Sequence, residues 1–455
     1  MKNNLTFILI LSILGIINST PIELRGIVEG FYGIPWTFED RADLIRFSGQ
    51  KNMNSYIYAP KDDPYHRNKW REPYPDDKIL ELKNLVEISL NNSVRFIFAV
   101  SPGIDLNFEG EAGEKDFNTL MTKLDSIYNI GVRDFAIFFD DIDIVDDSGT
   151  NHANFLNRLQ EAMDAKYPDV YPLMTVPTQY CLQHIFDKNG KIKKYTVDFV
   201  DLLNQKTVVL YTGDTVVCDG ISEENYKKAM DVYKRKLGIW WNYPVNDFLT
   251  TKLALGPIEK LPKSDILSIF YNPMEEVQLS KIALATGAEY GLFPETYNSE
   301  ESWNKAIEEQ FGELAPAMKV FATHSRHMQN SWANVGPADG PEFYKAAVEA
   351  INLTKKKKCV NYFPLLDLID EMENSADILL AKLPQNILKE CKLHLEQFKR
   401  ISRADRIAVK CLQDKTLYPE LKTLKNEITE HTKEAILSEK SALQFIDDVI
   451  NFFEK

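Results

Sequence analysis

Eight short apolar runs recur along roughly the first two thirds of this chain, and they limit the folds that it can adopt. They occupy residues 26–33, 56–60, 95–100, 135–143, 171–176, 207–211, 238–241 and 266–271. Most of the intervals between them can hold a helix and two loops, as crossovers between parallel strands require. The pattern therefore predicts a (β/α)8 TIM-type barrel, whose typical ~250 residues suit the span from about residue 25 to 295. An open doubly wound sheet is the alternative, but no glycine-rich phosphate loop follows the first run.

The fourth run changes abruptly from apolar to acidic residues. Five apolar residues (135–139) indicate a strand buried on both faces, and Asp140, Asp141 and Asp143 follow them. Carboxylates this close repel one another, so we expect at least one raised pKa among them. Acidic residues at the C-terminal end of a barrel strand are typical of a catalytic site. An acidic loop that caps the next helix or binds a cation is the simpler alternative.

Polar side chains also follow several other predicted strands. In a barrel, the C-terminal ends of all strands meet at one rim, so these side chains converge with the aspartates. The residues concerned are Lys61, Tyr180, Asn242, Asp247 and Asn272.

The chain after about residue 297 has apolar residues at helical spacing. The stretches 300–313, 315–332, 341–356, 362–383, 386–412 and 424–453 predict helices, so an all-helical domain (297–455) follows the barrel (21–296). His324 and His327 lie one turn apart without an evident third ligand, and we interpret them as ordinary helix residues. The five cysteines are sparse, odd in number and without a CxxC pair, which predicts neither a disulfide framework nor a zinc site.

The N-terminus predicts export. Lys2 precedes an apolar run at 5–17 and small polar residues at 18–20, the pattern of a secretory signal peptide occupying residues 1–20. An uncleaved anchor is the alternative. No later apolar run is long enough to span a membrane, so we expect a secreted protein. A net charge of −14 argues against nucleic acid or an anionic membrane as a partner.

Five motifs in order give the chain a resemblance to a known family. They are 26–33 (GIVEGFYG), 58–63 (YAPKDD), 139–143 (FDDID), 240–247 (WWNYPVND) and 272–275 (NPME). Together they resemble glycoside hydrolase family 84, which contains the protein O-GlcNAcases and bacterial β-N-acetylglucosaminidases once called hyaluronidases. The remainder, including Trp332, is similar to the helical domain of the bacterial members.

The resemblance implies retaining hydrolysis of terminal β-linked N-acetylglucosamine (GlcNAc), with the substrate's own acetamido oxygen as nucleophile and an oxazoline intermediate. Such substrate-assisted enzymes are exceptions to the scheme with an enzyme nucleophile. By the family pattern, Asp140 orients the acetamide and Asp141 is the general acid and then the general base. Asp143 supports them or caps the following segment. No cofactor and no metal is implied.

The resemblance also implies a set of substrate-binding residues. Implied contacts to sugar hydroxyls come from Gly26 (through its carbonyl), Lys61, Asp247 and Asn272. Implied contacts around the acetamido group come from Tyr180, Thr212, Trp240 and Asn242. As alternatives to these contacts, Trp240 could pack within the barrel, and Asp247 and Asn272 could make hydrogen bonds within loops.

The expected substrate is a GlcNAc-terminated glycan or an O-GlcNAc glycoprotein, and extracellular substrates fit export better. Three other functions stay open. One is a Mg2+-dependent enzyme that uses Asp140, Asp141 and Asp143 as ligands. The others are a carbohydrate-binding barrel without catalysis and an endo-acting hyaluronidase. The sequence indicates neither the aglycone nor the oligomeric state.

Overall fold

The computed structural model describes residues 20–356 and 360–454. Its centre is a closed barrel in which each strand pairs in parallel with the next, and β8 pairs with β1. The strands are β1 Leu24–Glu29, β2 Ser55–Tyr58, β3 Arg95–Val100, β4 Asp134–Phe138, β5 Met174–Val176, β6 Val208–Tyr211, β7 Gly238–Trp241 and β8 Ser268–Tyr271. The predicted (β/α)8 barrel is confirmed.

Side chains of the strands alternate between the barrel interior and the surrounding helices. In β3, Ile97 and Ala99 belong to the cluster that fills the interior, whereas Phe96, Phe98 and Val100 belong to the larger core outside it. Both faces are therefore buried, and this explains why the strands read as nearly continuous apolar runs.

Helices cover the outside of the barrel. Residues 242–267, all within the described part of the chain, connect β7 to β8 without a helix and form long loops instead. The barrel helices are α1 Phe38–Gln50, α2 Asp76–Asn91, α3 Gly110–Asn129, α4 Ser148–Lys166, α5 Leu182–Ile185, α6 Lys194–Leu202, α7 Glu223–Tyr233 and α8 Val277–Leu292.

The remainder of the described chain is mainly helical, as predicted. Two short 3-10 turns and a two-stranded hairpin, β9 Met328–Gln329 and β10 Asn334–Val335, interrupt it. The helices are α9 Ser299–Phe311, α10 Ala315–Thr323, α11 Pro341–Lys355, α12 Phe363–Lys382, α13 Gln385–Gln413, α14 Tyr418–Glu430 and α15 Ala442–Glu454.

Two predicted helices are wrong in extent. The stretch 315–332 is helical only as far as Thr323, because the N–H groups of Arg326 and His327 donate to the Asp339 carboxylate, at 2.6 and 2.9 Å, instead of continuing the helix. The stretch 424–453 is interrupted at 431–441. There Ile436 N–H donates to the Thr251 carbonyl at 2.8 Å, so contact with the barrel overrides local helix propensity.

The helical region is joined to the barrel by a carboxylate at a helix N-terminus. Glu390 of α13 accepts hydrogen bonds from the N–H groups of Gln278 and Leu279, at 3.1 and 3.0 Å, in the first turn of α8. These N–H groups have no partner within their own helix, so Glu390 satisfies them across the interface.

Two sequence predictions, the signal peptide and the domain division, are not tested by the structure. The signal peptide predicted at 1–20 lies almost wholly outside the described residues. Within those residues, no helix has the length and apolar character needed to cross a membrane. The domain division at residues 296 and 297 stays a prediction.

Candidate active site

Asp140 and Asp141 lie where β4 ends at the mouth of the barrel. Phe139 continues the strand by donating its N–H to the Val176 carbonyl at 2.9 Å. Asp140 is buried, with 8% of its surface exposed, whereas Asp141 adopts a left-handed backbone conformation with φ of 55°. That conformation is tolerated by Asp better than by most residues, and it ends the extended backbone of the strand between the two carboxylates.

Lys61 provides the counter-charge of Asp140. It follows β2, is 3% exposed, and donates from Nζ to Oδ2 of Asp140. The other carboxylate oxygen, Oδ1, is buried and accepts no hydrogen bond from the described residues. Asp140 therefore has hydrogen-bonding capacity that the protein itself does not use.

Asp141 is held by two tyrosine hydroxyls. Tyr32 donates to Oδ2 at 2.7 Å and Tyr180 donates to Oδ1 at 2.8 Å. Partial burial acts to raise the pKa of Asp141, but the charge of Lys61 and these hydrogen bonds outweigh it and lower the pKa below its usual value. The sequence predicted at least one raised pKa among the three aspartates, and Asp141 is not that residue because the site supplies donors and a cation.

Amide side chains link three strand ends next to the carboxylates. The Asn242 oxygen accepts from Trp240 Nε1 at 2.8 Å and from Asn272 Nδ2 at 3.1 Å. The Asn272 oxygen in turn accepts from Gly30 N–H at 3.2 Å. A Cβ at Gly30 would lie 2.3 Å from the Trp240 ring, so only glycine permits this approach.

Two further predicted residues complete the ring of polar groups. Asp247 accepts from the N–H of Tyr32 at 2.9 Å, and burial raises the pKa of its carboxyl. Thr212 is buried and donates from Oγ1 to the Thr215 carbonyl at 3.2 Å. The first contact ties the loops after β1 and β7 to each other, whereas the second lies within the loop after β6.

These side chains line one cavity of about 580 Å3. That volume lies within the range of small-ligand sites. Nine of the ten predicted site residues line it: Lys61, Asp140, Asp141, Tyr180, Thr212, Trp240, Asn242, Asp247 and Asn272.

Gly26, the tenth predicted residue, does not line the cavity, so its predicted contact with the substrate is wrong. It lies inside β1, is buried, and pairs with Ser55 of β2, towards the N-terminal end of the strand. Gly30, four residues later in the same motif, lines the cavity. In a parallel barrel only the C-terminal strand ends reach the mouth, so Gly30 is the glycine at the site.

The cavity also contains residues that the sequence did not assign to the site. Tyr32 belongs to the GIVEGFYG motif, so its position could have been inferred. Trp332 comes from the turn between β9 and β10 and packs on Phe248, with 5.2 Å between ring centroids. It was predicted to lie in a helix, and no local pattern indicates that it reaches the barrel.

The histidines and cysteines of the described residues form neither a metal site nor a disulfide. The described residues contain no group of three or more His, Cys, Asp or Glu side chains placed to hold a metal ion. His324 follows α10 and bonds through Nδ1 to Ser438 Oγ at 2.6 Å, while His327 Nδ1 contacts the Gly336 carbonyl at 2.8 Å. Neither is a helix residue, contrary to the prediction. Four cysteines, Cys181, Cys218, Cys391 and Cys411, are free thiols, and Cys359 lies outside the described residues.

Curated proteins and solved structures resemble the chain. Mouse protein O-GlcNAcase is 32% identical over 277 residues, which are 58% of this chain and 29% of that protein, and the rat protein is 31% identical over the same share. The match thus spans less than a third of these relatives. The solved structure of CpGH84B is 36% identical with a TM-score of 0.88, covering 94% of this chain and 77% of that one. An O-GlcNAc hydrolase mutant from Thermobaculum terrenum is 25% identical with a TM-score of 0.82, covering 94% of each chain.

Family models match both parts of the chain. One described as beta-N-acetylglucosaminidase matches residues 25–323, and one described as hyaluronidase post-catalytic domain-like matches residues 356–446. The first match covers more than half of the chain and contains every residue of the cavity except Trp332. The chain therefore belongs to the β-N-acetylglucosaminidase family, glycoside hydrolase family 84, as its five motifs predict.

Proposed function

We propose that the chain is a retaining exo-β-N-acetylglucosaminidase that removes terminal β-linked GlcNAc from glycans or glycoproteins by substrate-assisted catalysis. The observation that carries the proposal is the hydrogen-bonding state of Asp140. One of its oxygens is paired with Lys61, and the other accepts no hydrogen bond from the described protein. The N–H of a 2-acetamido group is the donor that this oxygen lacks.

In the first step the acetamido oxygen attacks C1 of the sugar while the bond from C1 to the leaving oxygen breaks. Asp140 orients the acetamide by accepting its N–H, and its negative charge stabilises the positive charge that develops on the oxazolinium ion. Asp141 transfers a proton to the leaving oxygen. A bound sugar excludes water from the cavity, and this desolvation acts to raise the pKa of Asp141 towards the protonated form that the step needs.

In the second step Asp141 is a carboxylate and accepts a proton from water. The water oxygen forms a bond to C1, the bond from C1 to the acetamido oxygen breaks, and the acetamide is restored. Because the configuration at C1 is inverted twice, the product retains the β configuration. Tyr32 and Tyr180 support this step, since hydroxyl donors at 2.7 and 2.8 Å hold the carboxylate in place.

The other polar groups account for recognition of a terminal sugar. Asp247 and Asn272 offer acceptors to hydroxyl groups, and a site built to bond a hydroxyl discriminates strongly against sugars that lack it. In this proposal the acetamido methyl group packs against Trp240 and Thr212, which line the same cavity. The exo preference rests on these contacts, and equal cleavage of internal and terminal linkages in a polymer would contradict it.

The proposal is tested with an aryl β-N-acetylglucosaminide and three proteins: wild type, Asp140→Asn and Asp141→Asn, each with and without EDTA. We expect wild-type activity to survive EDTA and both variants to lose on the order of 100-fold or more in kcat. Asp141→Asn should be relatively spared when the leaving group is a good one, because such a group needs little protonation. Binding of GlcNAc without hydrolysis would indicate a carbohydrate-binding barrel instead. Activity abolished by EDTA would indicate the metal-dependent alternative.

We also propose that the enzyme acts outside the cell. The proposal rests on the apolar run at 5–17 and the small polar residues after it. N-terminal sequencing of the protein from its native source should find a mature chain that begins close to residue 21. An intact Met1 on a cell-associated protein would contradict export.

A further inference from the structure

A second and larger cavity, of about 900 Å3, lies where loops of the barrel meet the helical region. Barrel loops contribute Asp219, Lys252 and Lys260, and the helical region contributes Tyr344 of α11 and Gln444 of α15. Junctions between structural units are frequent locations of ligand sites. None of the residues that line this cavity lines the catalytic one.

The two cavities share their walls. Val217 lines the catalytic cavity, and Asp219, two residues later, lines the second one. Likewise, Trp332 lines the catalytic cavity and Asn334 lines the second one. Two residues of extended chain span at most about 7 Å, so each of these walls is only one segment thick. A third segment also contributes to both cavities: Phe248 lines the catalytic cavity and Lys252 lines the second one.

An ion-pair network forms part of the lining of the second cavity, with Lys252 and Asp339 buried and Glu439 exposed. Lys252 is 1% exposed and contacts Glu439 at 2.7 Å and Asp339 at 3.3 Å. Asp339 also accepts the N–H groups of Arg326 and His327, so the network holds the segment that leads into the β9–β10 hairpin. This part of the lining is therefore held by contacts between the barrel loop and the helical region.

The charge around the cavity favours a neutral ligand. Four carboxylates and three lysines line it, and Lys252 and Lys260 are paired with carboxylates. Such a site offers little net attraction to a phosphate or to a cation. The uncharged groups of the lining include the amides of Gln329, Asn334 and Gln444 and the ring of Tyr344, which is 49% exposed.

Amide donors and acceptors beside a partly exposed aromatic ring suit a ligand with many hydroxyl groups and apolar C–H faces. From this chemistry and the shared walls we infer that the second cavity binds a carbohydrate, the sugars on the aglycone side of the scissile bond. This inference rests on the proposed function. It makes an oligosaccharide, more than a polypeptide, the preferred carrier of the terminal GlcNAc.

The test compares Tyr344→Ala with wild type on a short substrate, aryl β-N-acetylglucosaminide, and a long one, chitotetraose. The long substrate should lose about tenfold in kcat/KM, mainly through KM, while the short one changes by less than about twofold. Gln444→Ala should act in the same direction. Phe363→Ala is the matched control, because Phe363 is 72% exposed in the helical region and does not line this cavity. Circular dichroism and thermal unfolding verify that each variant is folded.

Equal losses on both substrates, or no loss on either, would overturn the inference. A loss confined to an O-GlcNAc peptide would show that the occupant is a polypeptide and would overturn the carbohydrate assignment. Calorimetric titration of chitotetraose into Asp141→Asn, with and without Tyr344→Ala, tests the cavity without turnover. If wild type fails to hydrolyse the aryl glycoside, the proposed function fails. Titrations in which chitotetraose binding does not depend on Tyr344 would then overturn the cavity assignment separately.

Discussion

Two buried aspartates, one in each part of the molecule, have oxygens that accept no hydrogen bond from the described residues. Asp140 lies at the barrel mouth, lines a cavity, and is paired with Lys61. Asp405 lies in the middle of α13, is 0% exposed, and has neither oxygen satisfied. We therefore expect the same side chain to bind a ligand in one place and to weaken the fold in the other. The difference is made by the counter-charge and the cavity.

Removing the counter-charge should make Asp140 resemble Asp405. Lys61→Met leaves a carboxylate in a buried site without its cation, and we expect kcat/KM on aryl β-N-acetylglucosaminide to fall on the order of 100-fold. Lys227→Met is the control, because Lys227 pairs with Asp231 at 2.7 Å on the exposed face of a helix. It should change activity by less than about twofold. Comparable losses in the two variants would show that burial of the pair does not matter.

The helical aspartate should affect stability and not activity. Burial raises the pKa of Asp405 well above its usual value, so the folded protein holds a proton that the unfolded chain releases above about pH 4. Because the unfolded state then binds fewer protons, the free energy of unfolding must fall as pH rises above that value. Asp405→Leu should be more stable than wild type by about 1–3 kcal/mol at neutral pH.

Denaturant unfolding of wild type, Asp405→Leu and Asp405→Asn across pH 4 to 8 measures this effect. Both variants should lack the part of the pH dependence that Asp405 causes, and both should keep wild-type kcat. An unchanged slope against pH in both variants would mean that Asp405 does not titrate in this range.

A smaller effect concerns the donors that lower the pKa of Asp141. Tyr32→Phe removes one hydrogen bond to the charged carboxylate, so the pKa of Asp141 should rise. If Asp141 is the general acid, the alkaline limb of kcat/KM against pH moves to higher pH, since the acid must stay protonated. Tyr180→Phe should move the limb in the same direction. A limb that stays in place in both variants would assign the acid to another group.

The sequence predicted the barrel well because its signals are local. Strands β3 and β7 have the predicted ends. Seven of the nine site residues in the cavity were predicted because they follow strand ends, whereas Thr212 and Trp240 were implied by the family resemblance. The error at Gly26 arose within a correct motif, since two glycines four residues apart lie at different levels of the barrel.

The remaining features depend on contacts between distant segments. Trp332 reaches the cavity because Asp339 ends the preceding helical stretch through its contacts with Arg326 and His327. The break after α14 depends on Thr251 in a barrel loop. The unsatisfied state of Asp405 follows from the packing of helices around α13, and helical periodicity alone does not predict it. The helical region was therefore predicted in kind but not in detail.

The central claim is that the acetamido group of the substrate is the nucleophile and that Asp140 serves it. The most direct measurement is kcat/KM for aryl glycosides whose N-acetyl group carries zero, one, two or three fluorines, with wild type and Asp140→Asn. Fluorine withdraws electrons from the acetamido oxygen, so the account predicts a steep and progressive fall in rate with wild type, with no enzyme-bound sugar trapped. Rates that do not depend on fluorination, or a covalent sugar adduct on a carboxylate of the enzyme, would contradict it.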